Sequence, residues 1–219
     1  MKKIRTPLAV SLIAAAALSL VSCSKREVKI TSAAPTGNEL LIGEVGSMTG
    51  GEATFGMSTH NGITLAFEKV NAAGGVKGKT LKLISLADQG KPEEAATAVT
   101  KLVTQDKVIP IRGEVASSRS LAMAPIAQQN RVPMITPSST NPKVTEVGDY
   151  IFRVCFIDPF QGTVMAKFAA ETLKMKNVAI LRDIKNDYSV GLANYLKETF
   201  KKSGGKIGTE TSYLAGDMA

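Results

Sequence analysis

Between Leu40 and Tyr213 short apolar runs alternate with stretches of helical period, and this alternation constrains the fold more than any other feature. Leu40–Val45 reads as a strand. Ser58–Ala73 reads as a helix, because Ile63, Ala66, Phe67 and Val70 fall at i, i+3, i+4 and i+7 on one face. Gly74-Gly75 ends it, as glycine does past a helix C-terminus. The unit then recurs. Leu81–Leu86 is a strand, and Pro92–Gln105 is a helix with Ala95, Ala98, Val99 and Leu102 on one side. Strands at Val108–Ile111, Val132–Ile135, Tyr150–Val154, Val178–Leu181 and Lys206–Tyr213 are interleaved with helices near Arg119–Gln129, Pro159–Leu173 and Tyr188–Ser203. Such alternation implies βαβ units, hence an α/β fold with a parallel sheet covered by helices on both faces.

The N-terminus has a different character. Lys2, Lys3 and Arg5 precede an apolar stretch, Leu8 to Val21, broken only by Ser11 and Ser19. A spanning helix needs roughly 20 apolar residues, so a secretory signal peptide over 1–22 fits better than a membrane span. A buried N-terminal helix is the alternative. Leu20-Val21-Ser22-Cys23 resembles the bacterial lipobox, which implies acylation of Cys23, cleavage before it and anchoring of an exported chain to a bacterial membrane. A free structural cysteine is the plain alternative. Residues 23–39 are small and polar without an apolar period, as in a flexible tether. Three of the 27 basic residues and none of the 19 acidic ones precede Cys23, leaving 24 against 19, spread along the chain. No clustered Lys and Arg suggest a nucleic-acid partner. With Cys23 acylated, Cys155 has no disulfide partner and is expected to be a small core residue of a strand-like run, Tyr150–Phe156.

Catalytic patterns are missing from the sequence. Ala73–Thr80, AGGVKGKT, approaches a phosphate-binding loop, but such a loop joins a strand to a following helix. Here the expected helix comes first and the strand second, so a basic turn accounts for the residues. His60 is the only histidine, which rules out a metal cluster built from several histidines, and no GxSxG or CxxC pattern occurs. It is expected on the solvent side of a helix start. No cofactor, metal or enzymatic role is expected.

What remains is a set of loops that follow strands and are rich in hydroxyls: Gly46–Phe55, Gly113–Ser118 and Thr136–Pro142. Parallel α/β sheets bind ligands beyond the carboxyl ends of their strands, so these loops should line one edge. Ser117 and Ser118 stand where a helix begins, where a hydroxyl and free amides suit a carboxylate. Ordinary N-capping by serine is the alternative.

The stretches GEVGSMTGGEATFG, HNGITLAFEKVNAAGGVKGK, LADQGKPEEA, VPMITPSSTNP and IDPFQG, in this order, resemble the leucine/isoleucine/valine-binding type of periplasmic binding proteins, class I fold. The resemblance runs from about Leu40 to the end. It implies two α/β lobes, the first over 40–157 and the second beginning within 158–219, that close on an amino acid, without chemistry, as the substrate-binding component of an ABC importer, with the permease subunits as partners. It further implies that Ser117 binds the ligand carboxylate, that Ser138 offers its carbonyl to the ammonium and that Thr140 contacts both ends. Phe55 stands where tyrosine is frequent near the side-chain pocket, and Tyr188 matches a residue that covers the ligand from the second lobe. Family members continue well beyond Leu214–Asp217 into a part carrying an acidic ligand for the ammonium, so this chain is expected to be a fragment, a truncated frame or a degraded product. A different small polar solute, such as an amide, urea or short carboxylate, and a sensor role are the other readings.

Overall fold

A computed structural model describes residues 37–216. The expected signal peptide, Cys23 and all but the end of the expected tether lie outside them. Five parallel strands form the first sheet in the order β2-β1-β3-β4-β5. They are β1 (Glu39–Gly46), β2 (Thr80–Ala87), β3 (Ile111–Arg112), β4 (Met134–Thr136) and β5 (Ile151–Arg153). The connecting helices are α1 (Ala53–Ala72), α2 (Pro92–Thr104), α3 (Ser117–Gln129) and the single turn α4 (Lys143–Glu146).

Strand periodicity decides what β1 does. Successive side chains alternate between faces, so Leu41 and Val45 join the core while Glu44 points the other way, to His60 on α1. Leu41 and Val45 pack with Ala95, Val99 and Leu102 of α2 and with Met123, Ala124 and Ala127 of α3, and Ile111, Met134 and Ile151 continue this layer along the sheet. Gly43 is required here: a Cβ would stand 2.9 Å from Val108 and 3.0 Å from Leu102.

A second unit follows. It contains α5 (Asp158–Lys167), continued by a π-helical turn, Phe168–Thr172, then β6 (Asn177–Asp183), α6 (Asp187–Lys202) and β7 (Lys206–Tyr213). β6 and β7 pair in parallel, and α5 packs along α6. Gly162 allows that approach, since a Cβ there would lie 2.7 Å from Tyr195 Cβ. Asn186 caps α6 by accepting from the amides of Tyr188 and Ser189.

Several expectations from the sequence are corrected. α1 begins at Ala53, not Ser58, so Phe55 lies in its first turn rather than in a loop. The reason is Gly56: packed against the Ser47 carbonyl, it lets the helix start directly under the end of β1. β3 starts at Ile111 because Pro110 has no N–H to give the ladder, although the Ile109 amide and the Pro110 carbonyl still bond β1. β5 ends at Arg153, so Cys155 is not a core strand residue; it is half-buried in the segment that leads to α5. His60 does not simply face solvent, since its Nδ1 lies 2.7 Å from the buried Glu44 carboxylate. The Ala73–Thr80 segment is a turn closed by a Val76–Lys79 bridge and runs into β2.

Candidate functional site

The carboxyl ends of β1, β3 and β4 feed three loops onto one edge of the sheet, and the first turn of α6 faces them. Between them lies a cavity of about 370 Å³, within the range usual for small-molecule sites. Phe55, Ser117, Ser138, Thr140 and Tyr188 all line it. The sequence did not single out Glu52, Phe156, Gln161 and Asn186, which line it too, nor place Cys155 there.

Ser117 is the first residue of α3, and its Oγ accepts from the Asn141 amide at 3.2 Å. The hydroxyl proton remains available for donation. Serine capping is not found: Ala116 occupies the N-cap position, and no side chain caps this helix. The amides of the first helical turn have no partner within the helix, and the helix dipole adds a positive potential there. The hydroxyl of Ser138 donates to the Val115 carbonyl at 3.0 Å. Thr140 is buried with its hydroxyl facing the Asp158 carboxylate, but neither group completes a hydrogen bond of normal geometry. Burial pushes the Asp158 carboxyl above the usual range, with Thr140 and Arg153 working against that shift. Burial likewise raises the Cys155 thiol, which makes it a poor nucleophile.

From the second unit, the Tyr188 hydroxyl accepts from Gln161 Nε2 at 2.8 Å, and this bond fixes the ring. Phe55 and Phe156 add exposed apolar surface. Two side chains of the first unit hold one residue of the second by its two backbone groups. Ser118 Oγ accepts from the Asp187 amide at 3.0 Å, and Asn141 Nδ2 donates to the Asp187 carbonyl at 3.1 Å.

Beneath the edge lies an ion cluster that sequence reasoning missed. Arg119, buried on α3, sits 3.0 Å from Glu114 and 3.7 Å from Asp88, and also pairs with Glu52. Ser47 Oγ stands 2.8 Å from Asp88 and 3.2 Å from Glu114. The available signal was the acid–base spacing in GEVASSR, between Glu114 and Arg119. Among the described residues no group of three or more His, Cys, Asp and Glu could hold a metal ion.

A parallel sheet whose loop edge faces a second α/β unit across one cavity is the architecture of a class I solute-binding protein. The chain belongs to the periplasmic binding protein family, whose model matches residues 39–218. A leucine-, isoleucine-, valine-, threonine- and alanine-binding protein of Pseudomonas aeruginosa is 37% identical over 177 residues, which is 80% of this chain and 47% of that protein. The crystal structure of a leucine-binding protein from Thermotoga maritima superposes with a TM-score of 0.78 at 42% identity, over 82% of this chain and 50% of that one. The substrate-binding protein of a branched-chain amino acid transporter from Streptococcus pneumoniae, solved with isoleucine, gives a TM-score of 0.77 at 34% identity, over 82% and 51%. The chain thus spans about half the length of the relatives it matches.

Proposed function

We propose that this chain contributes the first lobe and the beginning of the second to an extracytoplasmic protein that binds an amino acid, branched-chain in type, and delivers it to the permease of an ABC importer. The observation that carries the reading is the convergence of Phe55, Ser117, Ser138, Thr140 and Tyr188 on one cavity. In this reading the ligand carboxylate takes the Ser117 hydroxyl and the free amides of the first turn of α3. That turn supplies both hydrogen-bond donors and positive potential. The Ser138 hydroxyl is engaged with Val115, which leaves the Ser138 carbonyl for the ammonium. The unpartnered hydroxyl of Thr140 bridges the two ends. Phe55 and Phe156 wall the aliphatic side chain, and Tyr188 covers it from the second unit. In this reading the ligand is bound and released unchanged.

The N-terminal sequence supports export with acylation at Cys23. One acyl chain gives only marginal membrane affinity, at about 0.8 kcal/mol per buried methylene, and two or more anchor firmly. Calorimetric titration of the complete reading frame with the common amino acids tests the binding role. Saturable binding of leucine, isoleucine or valine is expected, and a preference for urea, simple amides or short carboxylates would replace the amino-acid reading. Intact mass of the membrane fraction tests the anchor, since a lipid adduct on a chain starting at Cys23 is expected.

A further inference from the structure

Glu114 is almost fully buried, yet both of its carboxylate oxygens and its carbonyl are engaged in different loops of the binding edge. Oε2 accepts from the Ala116 amide at 2.5 Å and lies 3.0 Å from Arg119 Nε. Oε1 receives Ser47 Oγ, from the loop after β1, at 3.2 Å. The main-chain carbonyl accepts from Ser120 Oγ at 3.0 Å, Thr136 Oγ1 at 2.7 Å and Ser139 Oγ at 3.2 Å. Thr136 and Ser139 belong to the end of β4 and the loop that carries Ser138 and Thr140. One residue therefore ties together all three loops of the edge without itself lining the cavity.

We propose that Glu114 is a positioning residue whose ionised carboxylate, paired with Arg119, holds the Val115–Ser117 backbone in the binding geometry and so makes ligand affinity depend on pH. Its effect on affinity rests on the amino-acid reading of the cavity; its effect on the backbone does not. The Ala116 amide is turned inward to Glu114, which leaves the next amides, of Ser117 and Ser118, at the open end of α3. Loss of the charge weakens the bond to Ala116, because charge-assisted hydrogen bonds are roughly twice as strong as neutral ones.

The surroundings make that charge conditional. Asp88, after β2, and Glu114 are both buried and share the Ser47 hydroxyl, while Arg119 supplies a cation between them. Glu52, at the start of α1, draws on the same guanidinium from the cavity side. Burial drives the Glu114 carboxyl upward and Asp88 adds to this, against the opposing pull of the Ala116 amide and Arg119. A proton taken up by this coupled group belongs to the cluster rather than to one residue. The carboxylate of a free amino acid stays ionised between about pH 5 and 8, since an ordinary α-carboxyl titrates near about 3.5. Asp158, also raised by burial, faces Thr140 instead, so its contribution survives substitution at Glu114.

The experiment compares wild type with Glu114→Gln in the complete reading frame, using L-leucine as the probe and amide exchange at Ala116 as a ligand-free readout. At about pH 7.5 Glu114→Gln should bind leucine about tenfold more weakly, as for a lost bond to a charged group. The gap should narrow as the pH is lowered and the wild-type carboxyl takes up its proton. Ala116 exchange should be several-fold faster in the variant. Unchanged Ala116 protection, or a wild-type affinity and pH profile, would overturn the proposal. Absence of leucine binding in wild type, with Ala116 exchange still accelerated in the variant, would count against the amino-acid reading and for the positioning role. If Glu114→Gln does not fold, Ser47→Ala decides. Removing the hydroxyl that faces both carboxylates should move the pH midpoint of Ala116 exchange upward, and an unmoved midpoint refutes the coupling.

Discussion

Asn141 donates its side-chain amide to the carbonyl of Asp187 at 3.1 Å, so a residue of the first sheet's loop edge holds the opening peptide of α6. Ser118 holds the other side of the same residue by accepting from its amide. Gly191 lies against this contact, with space for a Cβ only 3.0 Å from Asp158 Oδ2 and 3.3 Å from Asn141 Nδ2. Ser118→Ala should cost about 1 kcal/mol, the usual net worth of a neutral hydrogen bond, and Asn141→Ala about twice that, because Asn141 Oδ1 also accepts from the Lys143 amide at 3.1 Å. Urea titration measures the cost. Amide exchange at Asp187 should quicken in Ser118→Ala but much less in Asn141→Ala, which at Asp187 removes a bond to the carbonyl only.

Ser117→Ala and Thr140→Ala concern the cavity itself. Each should weaken amino-acid binding by about 1–3 kcal/mol, since each leaves a charged end of the ligand with one donor or acceptor fewer. Ser117 also anchors the Asn141 amide, so its variant should lose some stability at any pH, whereas Thr140→Ala removes a hydroxyl that eases the Asp158 charge and should lose stability chiefly where Asp158 is ionised. Calorimetry and thermal melting run side by side would separate the two. Wild-type affinity in both variants would refute these assignments.

Periodicity showed the strand–helix alternation, because core-facing residues such as Ala95, Val99 and Leu102 recur at helical spacing and little else explains them. The strand-end loops were equally readable, since hydroxyls and glycines cluster there. Long-range close approach was not. Gly56 looks like a loop glycine in GGEATFG, and only its contact with Ser47 explains a helix starting at Ala53. Buried polar pairing is silent in the same way: Glu44 and His60, sixteen positions apart, carry no local pattern. Cys155 was misread because Tyr150–Phe156 is apolar enough for a strand, although the β4 pairing ends at Arg153.

The Glu44–His60 contact makes a prediction about stability. Glu44 Oε2 accepts from Ser85 Oγ at 2.5 Å and lies 2.7 Å from His60 Nδ1, while Oε1 has no partner. His60→Ala would leave a buried carboxylate with Ser85 as its remaining side-chain hydrogen-bond donor, at a cost of about 1–3 kcal/mol. Helix propensity acts in the opposite direction, since alanine is the better helix former, so a loss of stability reports the carboxylate contact. A denaturation midpoint equal to or above wild type would show that Glu44 does not need this partner.

Asp158 gives a prediction with a definite sign in pH. Its folded carboxyl is raised by burial, with only partial relief from Thr140 and Arg153, and both oxygens lack a hydrogen bond. A carboxyl raised in the folded state favours the neutral form, so its stabilising contribution is complete below the unfolded aspartate value, about 3.9. It is lost as pH rises through the higher folded value, because the unfolded chain then releases its proton more readily. Asp158→Asn keeps the shape and removes that cost. The variant should therefore melt no lower than wild type near pH 8, and its advantage should shrink as the pH falls toward 4. Melting curves across that range provide the measurement. A variant that is less stable at pH 8 and gains on wild type only in acid would mean that the Asp158 charge itself stabilises the fold, with Arg153 as its evident partner.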